Sequence, residues 1–199
     1  MGKKDQAQPG DFFDSDRNFN EVYPNKIRLL ASQHWTPIHI AKAAADFLAG
    51  DGCKILDIGS GSGKFCLAGA HYAPVAHFTG IEQRKYLVAS ALNAREKLGL
   101  LNVSFIHGNV TQLNLKEFDH FYFYNSFFEN LHDSGRIDQS IECSESLFEY
   151  YVMFLFKELR EMPSGTKIAT FHTFHGEVPM GYEMVQSTHN GELNFWVKV

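Results

Sequence analysis

The stretch Ile55-Leu56-Asp57-Ile58-Gly59-Ser60-Gly61-Ser62-Gly63-Lys64-Phe65 decides how this chain is read. An apolar run empties into alternating glycines and then into a segment, Phe65 to Tyr72, with the character of a short helix. That succession opens an open parallel sheet, in which ligands sit beyond the carboxyl ends of the strands and glycine lets the backbone approach them closely. Glycines spaced as GxG are weak evidence alone, because any tight strand-to-helix turn recruits them. Glu82 strengthens the reading: it follows the next apolar run, Ala76 to Ile81, where a carboxylate is placed to accept both hydroxyls of a ribose. A dinucleotide-binding turn is the competitor. Against it, Gly59-x-Gly61-x-Gly63 lacks the dehydrogenase spacing of the third glycine, and Asp57 just before the turn would repel a pyrophosphate but suits an ammonium group.

Working outward, Pro37 is expected to open a helix at Thr36, with Ile38, Ala41, Ala44, Ala45 and Leu48 on one face and Gly50 and Gly52 ending it. Downstream, Arg84 to Leu98 carries a helical stripe stopped by Gly99. Val103 to His107 and Phe121 to Tyr124 read as further strands. A looser stretch from Phe127 to Cys143 precedes a helix over about Ser144 to Glu161, and Lys167 to Phe171 is the fifth strand. Tyr182 to Gln186 and Leu193 to Val199 flank Asn190-Gly191, a strong hairpin signal. The chain is therefore expected to form a doubly wound α/β fold with a mainly parallel seven-stranded sheet and a C-terminal antiparallel hairpin. Residues 1–20, polar and without periodicity, are expected to be a flexible arm or a cap that orders on contact, and residues 21–199 a single domain.

With 199 residues, 44% hydrophobic and 21% charged, the chain has the makings of one sizeable core. Its formal charge of −5 supplies no net field for a phosphate backbone or an anionic lipid, so a nucleic-acid substrate is disfavoured and a membrane partner is not expected. Cys53, Cys66 and Cys143 form no CxxC pair and point to a reducing, cytoplasmic setting. No apolar run approaches the ~20 residues that span a bilayer. Met1-Gly2 begins something like a myristoylation signal, but Gln6 stands where Ser or Thr is wanted.

These residues resemble a known family. ILDIGSGSGKF resembles motif I of the class I, Rossmann-like S-adenosylmethionine-dependent methyltransferases. Gly80 to Gln83 resembles their motif II, and Phe105 to Val110 resembles the segment that contacts adenine. The resemblance runs over roughly residues 35–199 and implies S-adenosylmethionine as cofactor. It would place Asp57, Gly59, Ser60, Gly61 and Gly63 near the methionine moiety, Glu82 on the ribose, and Gln83, Asn109 and Val110 around adenine. Most relatives have Asp where this chain has Asn109; the amide oxygen still accepts from an adenine amino group, but its NH2 then needs another acceptor.

The methyl acceptor is read from Asn125-Ser126-Phe127-Phe128 at the end of the fourth strand. It resembles, without its prolines, the Asn-Pro-Pro-aromatic motif of amino-methyltransferases, which implies Asn125 and Phe128 as the residues that hold and pack a target nitrogen. Trp35-Thr36-Pro37 and the Asn125-x-Phe127 strand end resemble more loosely the non-SET histone-lysine methyltransferases and their bacterial relatives. The expectation is therefore N-methylation of a protein side chain of lysine type or of a small amine. O-methylation assisted by His172 or His175, or a binding protein without turnover, are the alternatives. With ten histidines in the chain a surface role for that pair is the simpler reading, and no metal site is placed.

Overall fold

Strands β1 (Lys54–Ile58), β2 (His77–Glu82), β3 (Val103–His107), β4 (His120–Tyr124) and β5 (Lys167–Phe171) lie parallel, and the sheet continues into β6 (Tyr182–Thr188) and β7 (Leu193–Lys198). The order is β3-β2-β1-β4-β5-β7-β6, with β7 antiparallel to both of its neighbours. The computed structural model describes residues 12–131, 136–172 and 178–199, apart from the side chains of residues 32 and 33. The strand order reverses at β1, whose neighbours are β2 and β4, so the crevice between the ends of β1 and β4 is the natural ligand position in such a sheet.

Side chains alternate across β1: Ile55 enters one core, while Leu56 and Ile58 enter the other. Both faces are buried, which is why the central strands read as nearly continuous apolar runs rather than as alternating ones. On one face pack α4 (Ile38–Leu48), α5 (Lys64–Tyr72) and α6 (Lys85–Leu98); on the other, α7 (Glu145–Arg160) contributes Leu155 and Leu159. Ser144 caps α7 by accepting from the Leu147 N–H at 3.2 Å. Gly99, at φ +66°, ends α6 in the left-handed conformation that the sequence signalled. The hairpin turns through His189–Gly191 as expected of Asn190-Gly191, but β6 extends to Thr188 and carries a bulge between Met184 and Gln186. Among the described residues no helix is long and apolar enough to cross a membrane.

Residues 12–20 are docked on the domain as a cap rather than extended from it as an arm. Phe13 and Phe19 are buried in the main core, and a short helix α1 (Asp16–Asn20) is capped by Ser15. Asp16 fastens it: one carboxylate oxygen accepts from the Ile38 N–H at 3.0 Å and also from the Lys64 ammonium. Two further single turns, α2 (Asn25–Arg28) and α3 (Ala31–His34), carry the chain over the glycine turn to α4. Polar composition concealed this because a few aromatic residues supply the anchoring. Residues 1–11 lie outside the described residues. Phe19→Ala should cost about 3 kcal/mol or more of the global unfolding free energy in urea, the usual range for emptying a buried aromatic site; a loss below about 0.5 kcal/mol, as for an ordinary surface change, would mean that the segment is not docked.

Candidate functional site

Gly63 shows why the turn after β1 is built of glycine. It adopts φ +84°, and a Cβ on it would lie 2.4 Å from the Phe105 ring of β3, so both its conformation and its surroundings exclude a side chain. At the start of the turn the Gly59 and Ser60 N–H groups both donate to the Ile81 carbonyl, at 3.0 and 2.9 Å, folding the loop across the end of β2. Glu82 completes the closure, accepting from the Gly61 N–H at 3.2 Å with one oxygen and from the Arg84 N–H at 2.8 Å with the other. A carboxylate has roughly four acceptor sites, so Glu82 can hold the turn and still accept from hydroxyls of a ligand.

Beyond the strand ends lies a cavity of about 270 Å³, lined among others by Gly59, Gly61, Glu82, Gln83, Val110, Asn125 and Phe128. A smaller cavity of about 30 Å³, lined by Asp57, Ser60, Ser62 and Lys64, shares His34, Trp35, Gly59, Ser62 and Tyr124 with it. Asp57 is buried, and burial pushes its carboxyl up to about 8; the Cys66 thiol donating to it at 3.5 Å opposes the shift, and the Glu82 charge adds to it. The buried hydroxyls of Ser60 and Ser62 have no hydrogen-bond partner among the described residues. A desolvated carboxyl beside two unsatisfied hydroxyls suits a ligand that brings an ammonium group and further hydrogen-bonding atoms, since buried polar groups are costly when left unpaired. The amino-acid end of S-adenosylmethionine has that chemistry, and the Glu82 carboxylate at the larger cavity has the acceptors a ribose needs.

Over the larger cavity the connection from β4 to α7 is fastened by ion pairs. The Arg84 guanidinium, almost fully buried, donates to both Glu129 oxygens at 3.3 and 2.6 Å and through Nε to Asp138 at 3.1 Å, and the Tyr86 hydroxyl donates to Asp138 at 2.7 Å. Sequence reasoning missed this cluster, because nothing local to Arg84 says that its partners lie some fifty positions further on. It also missed His34 and Trp35; their signal was only the Trp35-Thr36-Pro37 resemblance. Thr36 itself pairs with the Tyr122 hydroxyl at 2.8 Å.

The Asn109 side chain is engaged within the chain. Its side-chain oxygen accepts from both the N–H and the hydroxyl of Thr111 at 3.0 Å, and its NH2 donates to Tyr151 at 2.8 Å and to Gln83 at 3.3 Å. Asn109 caps the short turn Val110–Gln112 in a capping box with Gln112. Its amide is therefore spent internally, and it is the flanking Gly108 and Val110 that line the cavity. Asn125 differs: it lines the cavity at φ +49°, an uncommon backbone that Asn tolerates better than most residues, and no described hydrogen bond engages its amide. Ser126 donates to the Ile58 carbonyl and Phe127 stacks on Tyr151 at 5.1 Å, fixing the strand end from both sides. His172 is exposed, 3.8 Å from Glu192, and outside the cavity lining; His175 lies outside the described residues.

A family model described as a methyltransferase domain matches residues 49–180. The chain belongs to the methyltransferase-domain family. Its cofactor is S-adenosylmethionine. Among curated relatives of this methyltransferase-domain protein, a tRNA (guanine-N(7)-)-methyltransferase of Microcystis aeruginosa is 49% identical over 55 residues, 28% of this chain and 26% of that protein. The chain thus matches about a quarter of that relative's length. In fold it is similar to TrmN from Thermus thermophilus, with a TM-score of 0.63 and 19% identity over 87% of this chain and 52% of that one. An RNA methyltransferase from Salinibacter ruber, solved with S-adenosyl-L-homocysteine, gives a TM-score of 0.57 and 18% identity over 82% of this chain and 92% of its own.

The raised Asp57 carboxyl makes ligand binding proton-linked. Because its folded value lies above the unfolded one, its contribution to the stability of the ligand-free protein is fullest below about pH 3.9 and is lost as pH climbs towards about 8. An ammonium ligand instead requires the ionised form. The affinity of S-adenosylhomocysteine, read by calorimetry, should rise with pH by up to about tenfold per unit until about 8 and then level off. Asp57→Asn should bind weakly with that slope abolished; a wild-type affinity flat between about pH 6 and 8 would contradict the assignment.

Proposed function

We propose that this chain transfers a methyl group from S-adenosylmethionine to a nitrogen that carries at least one proton. The observation that supports it best is Asn125, an amide with no described partner, held by a strained backbone at the cavity wall. Asp57, Ser60 and Ser62 would hold the amino-acid end of the cofactor, Glu82 the ribose, and Gln83, Gly108 and Val110 would flank the adenine. When bound, the sulfonium supplies an electrophilic methyl group. The Asn125 side-chain oxygen accepts an N–H of the acceptor and so aims the nitrogen lone pair at that methyl. Leu30, Trp35, Ile137 and Ile141 give the cavity apolar walls that limit water around the reaction. Methyl displacement asks for little beyond this positioning.

The acceptor class follows from the same chemistry: an amine of a small molecule or a lysine-type side chain has the required N–H. A second reading, a ring nitrogen of an RNA base, which carries no proton, is favoured by the curated relative named for guanine N7 of tRNA and by the RNA methyltransferase of similar fold. The formal charge of −5 argues for the first, and the relatives argue for the second. The O-methylation reading loses the support it drew from His172, which stands outside the cavity.

Methyl-labelled S-adenosylmethionine offered with small amines, lysine peptides, hydroxyl compounds and unmodified tRNA separates these readings. Label should appear on nitrogen. Asn125→Ala should lower turnover by about 10²-fold, as for the loss of one positioned hydrogen bond in a transition state, while leaving cofactor affinity within about twofold. Transfer only to hydroxyls, or undiminished turnover in Asn125→Ala, would contradict the proposal; binding of the cofactor with no transfer to any acceptor would favour a protein without turnover.

A further inference from the structure

We propose that His34 is a catalytic residue of this site, the group that takes the proton shed by the acceptor nitrogen as it gains the methyl group; the inference rests on the nitrogen-acceptor reading above. His34 closes the single turn α3 and lines both cavities, so it stands where the site for the amino-acid end of the cofactor meets the larger cavity that bears Asn125. No hydrogen bond among the described residues engages its ring.

The other titratable groups around the larger cavity are unsuited to the task. Glu82 holds the Gly61 and Arg84 N–H groups. Glu129 accepts the Arg84 fork with both oxygens and the Ile137 N–H at 3.2 Å, and Arg84 is a cation bound to Glu129 and Asp138. Burial pushes the Tyr124 phenol up, so that it keeps its own proton. Asp57 and Lys64 face the smaller cavity, where Lys64 is already paired with Asp16.

His34 differs in its charge state. Burial pushes the imidazole down; the Glu129 carboxylate opposes that and the Arg84 guanidinium reinforces it, leaving the ring neutral and able to accept at neutral pH. In the step, the acceptor nitrogen forms a bond to the methyl carbon, and the carbon–sulfur bond breaks with its electron pair staying on sulfur as a neutral thioether. The nitrogen is then a cation. On an aryl or base amino group this cation is acidic, so its N–H bond breaks, the proton passes to a free ring nitrogen of His34, and the imidazolium is stabilised by the charge of Glu129 until the partly buried ring returns the proton to water; an alkyl amine, which must be neutral to attack, gives its proton to His34 before the transfer. An acceptor without an N–H, such as a pyridine-type ring nitrogen, would not need this group.

The test has two readouts on the full chain. In nitrogen-edited NMR of the histidine rings, His34→Gln identifies the His34 signal; in the wild type that signal should titrate below the ordinary value of about 6.5 and move when S-adenosylhomocysteine is added. In parallel, with the acceptors of the screen above, His34→Gln should lower kcat by about 10²-fold or more and lose the acid limb of the wild-type pH profile. Its affinity for S-adenosylhomocysteine, whose site His34 borders, should fall far less than kcat. Unchanged kcat in His34→Gln, a titration midpoint above about 7.5, or a ring signal indifferent to S-adenosylhomocysteine would each overturn the proposal. A wild type that methylates none of the acceptors defeats the nitrogen-acceptor reading instead, and the proton role built on it.

Discussion

Between the last residue of β1, Ile58, and the first of α5, Lys64, the backbone must reverse over the end of β2, and much of the molecule is arranged to hold that reversal. Four separate parts of the chain meet it. The N-terminal cap reaches it through the Tyr23 hydroxyl, which donates to the Ser62 carbonyl at 2.8 Å. β2 meets it through the Ile81 carbonyl and Glu82, and β3 through the Phe105 ring beneath Gly63. The segment just after β4 meets it through Ser126, whose Cβ would stand 3.1 Å from a Cβ on Gly59. A loop packed on this many sides is preorganised for its ligand, so less ordering remains to be done on binding.

The electrostatics follow from that geometry. Asp57, Glu82, Glu129 and Asp138 bring four carboxyl groups towards one end of the sheet, and desolvated charge is costly unless paired. Arg84 compensates the last two directly and stands 3.9 Å from Glu82. It thereby ties the start of α6 to the connection between β4 and α7, which forms the cavity roof. Lys64, the other buried cation among the described residues, is held by Asp16 and Asn20 and lies over the Phe19 and Trp35 rings. Asp57 is left without a cationic partner among the described residues, and its proton is what a ligand ammonium would displace.

Much of this was legible in the sequence because glycine spacing and strand ends are local. Ile55 to Phe65 announced both the turn and its acid, and Asn125 was marked by being polar in an aromatic strand end. Three things were not legible. The N-terminal cap is a tertiary matter: Phe13 and Phe19 look unremarkable in a polar segment until Lys64 and the α4 start supply partners. The Arg84 cluster depends on residues far along the chain. Asn109 was read through its resemblance, although Asn109-x-Thr111-Gln112 is itself a local capping pattern, and that local competition took the amide.

Family membership establishes the kind of domain, while the acceptor proposed above rests on the rim, where Asn125 and His34 line a cavity whose charged groups are otherwise paired among the described residues. Everything proposed for that rim depends on where the cofactor lies. The most direct measurement is a crystal structure of the chain grown with S-adenosylhomocysteine. The account predicts the ligand's amine against Asp57, its ribose hydroxyls on Glu82, and its sulfur directed towards the part of the cavity walled by Asn125 and His34. A ligand with its ribose away from Glu82, or no ligand at the turn at saturating concentration, would contradict it.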